Sequence, residues 1–177
     1  ITLLVAIAEA ANSDDPSVSS QIPESLRVSR TLVLCPPSLV NNWIDELLVW
    51  VPDYLLGELR KVDSSIKYLP QRVQTIVDWH QDGGVLVIGY EMFRDLINYK
   101  SKVISGTEHD QVSRCLLDGP NIIIADEAHR MKNKKAAITI AASKFRSKSR
   151  IALTGSPLAN NIEEYHTMID WVAPNYL

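Results

Sequence analysis

Asp126 and Glu127 stand side by side directly after the apolar run Ile122, Ile123 and Ile124, with His129 two residues further on, inside the stretch Asn121–Asn133 (NIIIADEAHRMKN). A non-alternating β-branched run is the signature of a strand buried on both faces of a parallel sheet. Adjacent carboxylates where such a strand runs out are costly unless a cation or a reaction uses them. In nucleotide hydrolases, this is where one carboxylate reaches the magnesium that bridges the phosphates, while its neighbour polarises the attacking water. The competing reading is a solvated strand-to-loop junction with two ordinary acids.

A second chemical signal follows at once. Arg130, Lys132, Lys134, Lys135, Lys144, Arg146, Lys148 and Arg150 occur with no Asp or Glu among them, in a chain whose net charge is −3. Two readings stand for this segment: a solvated helix face or a surface that contacts a phosphate backbone. Other chemistries lack their residues. There is no G-x-S-x-G nucleophile elbow, and Ser156 sits in T-G-S-P, where Pro157 would disturb such a turn. There is no H-E-x-x-H zinc motif. Cys35 and Cys115 are far apart, without metal-ligand spacing, and read as buried thiols of a reducing compartment.

The elements that must position these residues are legible in outline. With 177 residues, 46% of them hydrophobic and 22% charged, the chain is long and apolar enough for one globular domain with a core. No apolar run approaches the roughly 18 residues of a membrane span. Ile1–Ala11 reads as a helix and Asn12–Arg30 as a polar loop. Thr31–Cys35 is a buried strand stopped by Pro36 and Pro37, and Ser38 is placed to cap the helix Leu39–Val51, with Trp43, Leu47 and Trp50 on one side. Leu59–Val62 is a possible short strand, and Pro70–Gln81 a helix packing Val73 and Trp79. Gly83-Gly84 turns the chain into strand Val85–Ile88, followed by a helix over Glu91–Tyr99, a polar loop Lys100–His109 and a short helix Gln111–Leu117. Strand Asn121–Ala125, helix Ala136–Phe145, strand Ile151–Thr154 and helix Ile162–Val172 complete the chain. Alternating strands and helices predict an α/β fold: a mostly parallel sheet covered by helices on both faces, with strand ends on one edge where ligands bind.

The residues at those strand ends carry a family resemblance. LVLCPPSLVNNWIDE, VLVIGYEMFR, IIIADEAHRMKN and RIALTGSPLANNIEEY resemble, in order, motifs Ia, Ib, II and III of the helicase-like ATPases of the SWI/SNF chromatin-remodelling family. The match runs from about Thr31 to Tyr176. An RNA helicase with a DEAH box would usually carry Ser-Ala-Thr where this chain has Thr154-Gly155-Ser156-Pro157. Trp79, Gly83-Gly84, Tyr90-Glu91-Met92 and Glu164-Tyr165-His166 look most like the ATRX-like branch.

The resemblance implies a RecA-like helicase lobe that uses ATP and Mg2+, acts on double-stranded DNA or the nucleosome, works with a second helicase lobe, resides in the nucleus and has no membrane partner. It implies that Asp126 holds magnesium through water, Glu127 orients the hydrolytic water, and His129 relays the nucleotide state toward motif III. Thr154, Gly155 and Ser156 would couple hydrolysis to DNA movement. Pro37, Ser38, Leu39, Gly89 and Tyr90 would approach the DNA backbone, joined by Lys132, Lys134 and Lys135 of the basic segment.

Two departures qualify the expectation. Ala159 stands where the family usually has Gln, and no G-x-x-x-x-G-K-[ST] phosphate loop occurs between Ile1 and Leu177. In the family that loop lies just before a helix resembling Ile1–Ala11. Residues 1–177 are therefore expected to be a partial ATP-binding domain, cut before Ile1 and after Leu177 and inactive alone. The competing class is a non-catalytic module that keeps the fold for docking DNA or protein. Retention of Asp126 and Glu127 favours the enzyme.

Overall fold

The aliphatic runs do become the interior strands. The computed structural model describes residues 1–98, 106–155, 162–174 and 176, and five strands cross it: β1 (Arg30–Cys35), β2 (Leu59–Val62), β3 (Gly84–Gly89), β4 (Ile122–Ala125) and β5 (Arg150–Ala152). They form one sheet in the order β2-β3-β1-β4-β5, with every adjacent pair parallel. The central strand β1 pairs Leu32 with Leu86 on one side and with Ile123 on the other. Parallel pairing puts all five C-terminal ends on one edge, and Asp126 follows β4 there.

Alternation along the strands splits the core into two layers. Leu32, Leu34, Leu86, Ile88 and Ile123 face one way, against helices α4 (Leu69–Asp82), α5 (Tyr90–Ile97), α6 (Gly106–Asp118), α7 (Ala137–Ser143) and α8 (Ile162–Val172). Val33, Cys35, Val85, Val87 and Ile124 face the other way, against α1 (Thr2–Ala11) and α3 (Val40–Trp50). Each such side chain removed from water contributes roughly 1.5–3 kcal/mol. Trp79 is fully buried, and its indole donates to the Gly84 carbonyl at 3.3 Å.

Several expectations about elements are corrected. Asn12–Arg30 is not uniformly loop: it holds the short helix α2 (Pro16–Ser19), capped by the Asp15 side chain, and Arg30 already belongs to β1. Ser38 caps nothing; it lies inside a 3-10 turn over Pro37–Leu39 that leads directly into α3, whose cap position is Leu39. Trp50 leaves the face of Trp43 and Leu47, is 64% exposed, and bonds Glu46 on its own helix at 2.8 Å. The helix expected at Gln111–Leu117 begins at Gly106, so residues 106–109 are helical rather than loop. The strand expected over Ile151–Thr154 ends at Ala152, leaving Thr154 just beyond it.

Candidate active site

Four chain segments meet at the C-terminal edge of β1 and β4. The N–H of Asp126 donates to the Leu34 carbonyl at 2.8 Å, which extends the β1–β4 ladder by one residue. Glu127 then adopts a left-handed backbone, φ 51 and ψ 46, and turns the chain into a 3-10 segment over Ala128–Met131. A non-glycine residue in that region costs about 1–2 kcal/mol, and such strain concentrates at functional sites.

The two carboxylates are fixed differently. Asp126 has both oxygens engaged: Oδ1 accepts the Glu127 N–H at 2.9 Å and Oδ2 accepts the Trp43 indole N–H at 2.8 Å. Its carbonyl accepts the Tyr90 hydroxyl at 2.8 Å. Glu127 faces His129 instead, with Oε2 3.1 Å from Nδ1, and both side chains are a little over one-third exposed. His129 Nδ1 also lies 3.4 Å from the Thr154 hydroxyl. The side chains of Glu127, His129 and Thr154, which lies two residues past β5, therefore form a continuous polar line that meets Asp126 through the Glu127 N–H. It joins the end of one strand to the end of the next, although the participants span residues 126 to 154.

Neighbouring groups stay neutral. Burial, reinforced by the charge of Asp126, pushes the Cys35 thiol up to about 12, so it adds no second negative charge beside Asp126. Burial, followed by the same carboxylate's charge, raises the Tyr90 phenol and keeps it a donor. A cleft of about 260 Å³ opens onto this edge, lined by Ile1, Leu39, Asn42, Trp43, Glu46 and Asp126.

The donor set suits a hard cation that arrives with other oxygen ligands. Asp126 offers one oriented, partly exposed carboxylate, and no group of three or more His, Cys, Asp or Glu side chains able to hold a metal occurs among the described residues. Magnesium is bound in that manner, through one or two carboxylates plus phosphates and water, rather than in an all-protein cage.

The residues expected to touch a nucleic-acid backbone divide in the structure. Pro37 and Ser38 are exposed and Leu39 is half-buried, all just past β1. Gly89 comes so close that a Cβ there would lie 3.4 Å from Pro37, so the two strand ends are neighbours. Tyr90 is a correction: it is 2% exposed, with its hydroxyl turned inward onto Asp126, so its side chain is not on the surface.

The basic segment is also less one-sided in space than in sequence. Arg130 pairs with Glu91 at 2.8 Å and lies over the Tyr90 ring. Lys132 pairs with Glu164 at 3.1 Å and Arg146 with Asp118 at 3.1 Å. Arg150 is turned inward, donating to the carbonyls of Phe145, Ser147 and Trp171. Lys134 and Lys135 remain exposed on an open groove of about 690 Å³ between the 3-10 turn and α8. Ser156 lies outside the described residues, as do Pro157, Ala159 and Asn160-Asn161. Gly155 is described and exposed, with open space where a side chain would stand. Trp43 is the site residue that motif reading missed. Its only sequence signal was its place in the NNWIDE stretch of motif Ia.

Comparison with known proteins gives the family and the fold. The family model for the SNF2-related domain matches residues 1–177. The transcriptional regulator ATRX homolog of Drosophila melanogaster is 40% identical over 152 residues, covering 85% of this chain and 12% of that protein. The transcriptional regulator ATRX of Homo sapiens is 36% identical over 160 residues, covering 87% of this chain and 6% of that protein. The chain thus spans only a small part of the length of these relatives. Among solved structures, the Sulfolobus solfataricus SWI2/SNF2 ATPase core in complex with dsDNA superposes with a TM-score of 0.52 at 22% identity, covering 86% of this chain and 29% of that one. That likeness shows a common fold.

Proposed function

This chain belongs to the SNF2-related domain family, with ATRX-type relatives among its matches, and on that premise we propose that it forms the ATP-binding lobe of a DNA-translocating chromatin remodeller. The observation that carries the reading is the line Asp126, Glu127, His129 and Thr154 at the C-terminal edge of an all-parallel sheet. Ile1, which precedes α1, and Asp126 line the same cleft, and this supports reading α1 as the helix that follows a phosphate loop in the family.

In this reading, Asp126 is the carboxylate that holds magnesium through water, and Glu127 orients the water that attacks the terminal phosphate. Magnesium, when bound, neutralises charge on the β- and γ-phosphates of ATP. Past the left-handed turn at Glu127, its carboxylate meets His129 at 3.1 Å. His129 then passes the state of that carboxylate to Thr154 and, through the Gly155-Ser156 segment, to the DNA-moving machinery. Pro37 and Ser38, exposed just past β1 beside half-buried Leu39, present backbone and small side chains to a DNA phosphate backbone, the buried Gly89 packs against Pro37, and Lys134 and Lys135 add charge. Positioning contacts of this kind carry register rather than sequence. The partners are double-stranded DNA or the nucleosome and a second helicase lobe, in the nucleus.

The test is DNA-stimulated ATP hydrolysis by the full-length protein that carries this chain, with and without Glu127→Gln. Loss of a positioned base or water-orienting group costs about 10²- to 10⁴-fold. Turnover is expected to fall by at least about 10²-fold with nucleotide affinity retained, because the substitution removes charge without emptying the phosphate site. Undiminished turnover would remove Glu127 from the mechanism. A parent that neither binds nor hydrolyses ATP would instead leave a docking module.

A further inference from the structure

Trp43 reaches Asp126 across 83 residues of sequence, from α3 to the end of β4, with its indole Nε1 2.8 Å from Oδ2. The remaining polar atoms of Asp126 are tied by the backbone or by the start of α5. Its N–H donates to Leu34, its carbonyl accepts from Tyr90, and Oδ1 accepts from the N–H of Glu127. A carboxylate held by one oxygen can still swing about its Cβ–Cγ bond. A second donor on the other oxygen fixes the plane, and Trp43 is that donor.

The chemistry of the donor matters as much as the distance. An indole N–H donates and cannot accept, so it does not compete with a carboxylate for a cation. It is also neutral. An Arg or Lys in the same place would cancel the charge of Asp126 and repel a divalent metal, whereas Trp43 orients the group and leaves its charge intact. A carboxylate oxygen can accept two bonds, and among the described residues each oxygen of Asp126 accepts one, beside a cleft that Trp43 and Asp126 line together. The ring is half-buried and packs on the core layer beneath α3, which gives the donor a fixed origin.

We propose that Trp43 is a positioning residue that orients the Asp126 carboxylate for magnesium. This rests on the nucleotide-hydrolysing reading above. Trp43→Phe keeps the ring and removes the N–H. The same helix supplies an internal control, since the exposed Trp50 also bonds a carboxylate, that of Glu46, at 2.8 Å. Binding of a fluorescent ATP analogue to the full-length protein is titrated with magnesium, and separately measured in EDTA.

Trp43→Phe should raise the magnesium concentration for half-maximal binding about tenfold, as expected for losing a hydrogen bond to a charged group. Binding in EDTA should stay unchanged, and Trp50→Phe should behave as wild type in both. If Trp43→Phe does not fold, the benzothiophene isostere of tryptophan at position 43, which replaces N–H by sulfur and keeps the shape, gives the same readout. An unchanged magnesium requirement would overturn the proposal. So would equal weakening with and without metal, which marks a packing role. A wild-type protein that binds no nucleotide under either condition would instead overturn the proposed function, and the inference with it.

Discussion

At the N-terminal end of the sheet, polar residues close the fold. Asn121 donates to the carbonyls of Ser25 and Val28, at 2.8 and 2.6 Å, and accepts the N–H of Arg30 at 3.0 Å. Gly84 donates to the Ser29 carbonyl at 2.7 Å, and Arg60 donates to the Gly83 carbonyl at 3.2 Å. At the C-terminal end of the same sheet, side chain meets side chain: Asp126 with Trp43, Glu127 with His129, and His129 with Thr154, all of them half-buried or exposed. One end uses its polar groups to satisfy backbone; the other keeps them as a side-chain array. On the function proposed above, the difference teaches that side-chain partners at a strand end leave polar groups for chemistry, whereas main-chain partners commit them to closure.

That comparison can be broken by separating stability from turnover. The largest effect is expected at the N-terminal end. Gly84 has φ +98, and a Cβ there would sit 2.1 Å from the Glu58 carbonyl oxygen. Gly84→Ala should cost about 3 kcal/mol from backbone strain plus overpacking, a fall in Tm of about 6–12 °C for a domain of this size. ATP turnover per folded molecule should not change. Calorimetry with an activity assay below the transition checks it, and a stable but inactive variant would erase the distinction between the two ends.

A smaller effect of opposite kind is expected at Thr154. Thr154→Val keeps the volume and removes the hydroxyl that faces His129 at 3.4 Å. Because Thr154 is exposed, stability should move by no more than about 0.5 kcal/mol. DNA-stimulated turnover should fall about tenfold, the worth of roughly one hydrogen bond in the transition state. Wild-type turnover in this variant would confine the array to the two carboxylates and the imidazole.

The smallest effect sharpens the boundary of the C-terminal site. Lys134 and Lys135 carry no ion pair among the described residues, whereas Lys132 is held by Glu164. Reversing Lys134 and Lys135 to Glu should flatten the salt dependence of DNA binding by about two phosphate contacts, equally across sequences. Reversing Lys132 should change that slope less, because its charge is already compensated. Equal slopes for all three would mean that the pairing with Glu164 does not persist on DNA.

The sequence by itself determined the layered α/β plan. β-Branched runs without alternation, bounded by Gly and Pro, read as buried strands, and the helices between them favour right-handed parallel crossovers. It also determined that Asp126 and Glu127 fall where β4 ends, because a charge cannot continue a strand packed on both faces, and it carried the motifs of the family. The tertiary structure decided what those residues touch. Strand order β2-β3-β1-β4-β5 sets β4 next to β1, so Trp43 of α3, which packs over β2 and β3, reaches across to Asp126, and the Tyr90 hydroxyl at the start of α5 turns inward onto the same residue. It set Glu91 and Glu164 against Arg130 and Lys132, compensating charges that look unopposed along the chain. Periodicity reports which face of an element is buried. Which side chain of a distant element waits on that face depends on the order in which strands join the sheet, and the sum of local preferences does not encode that order.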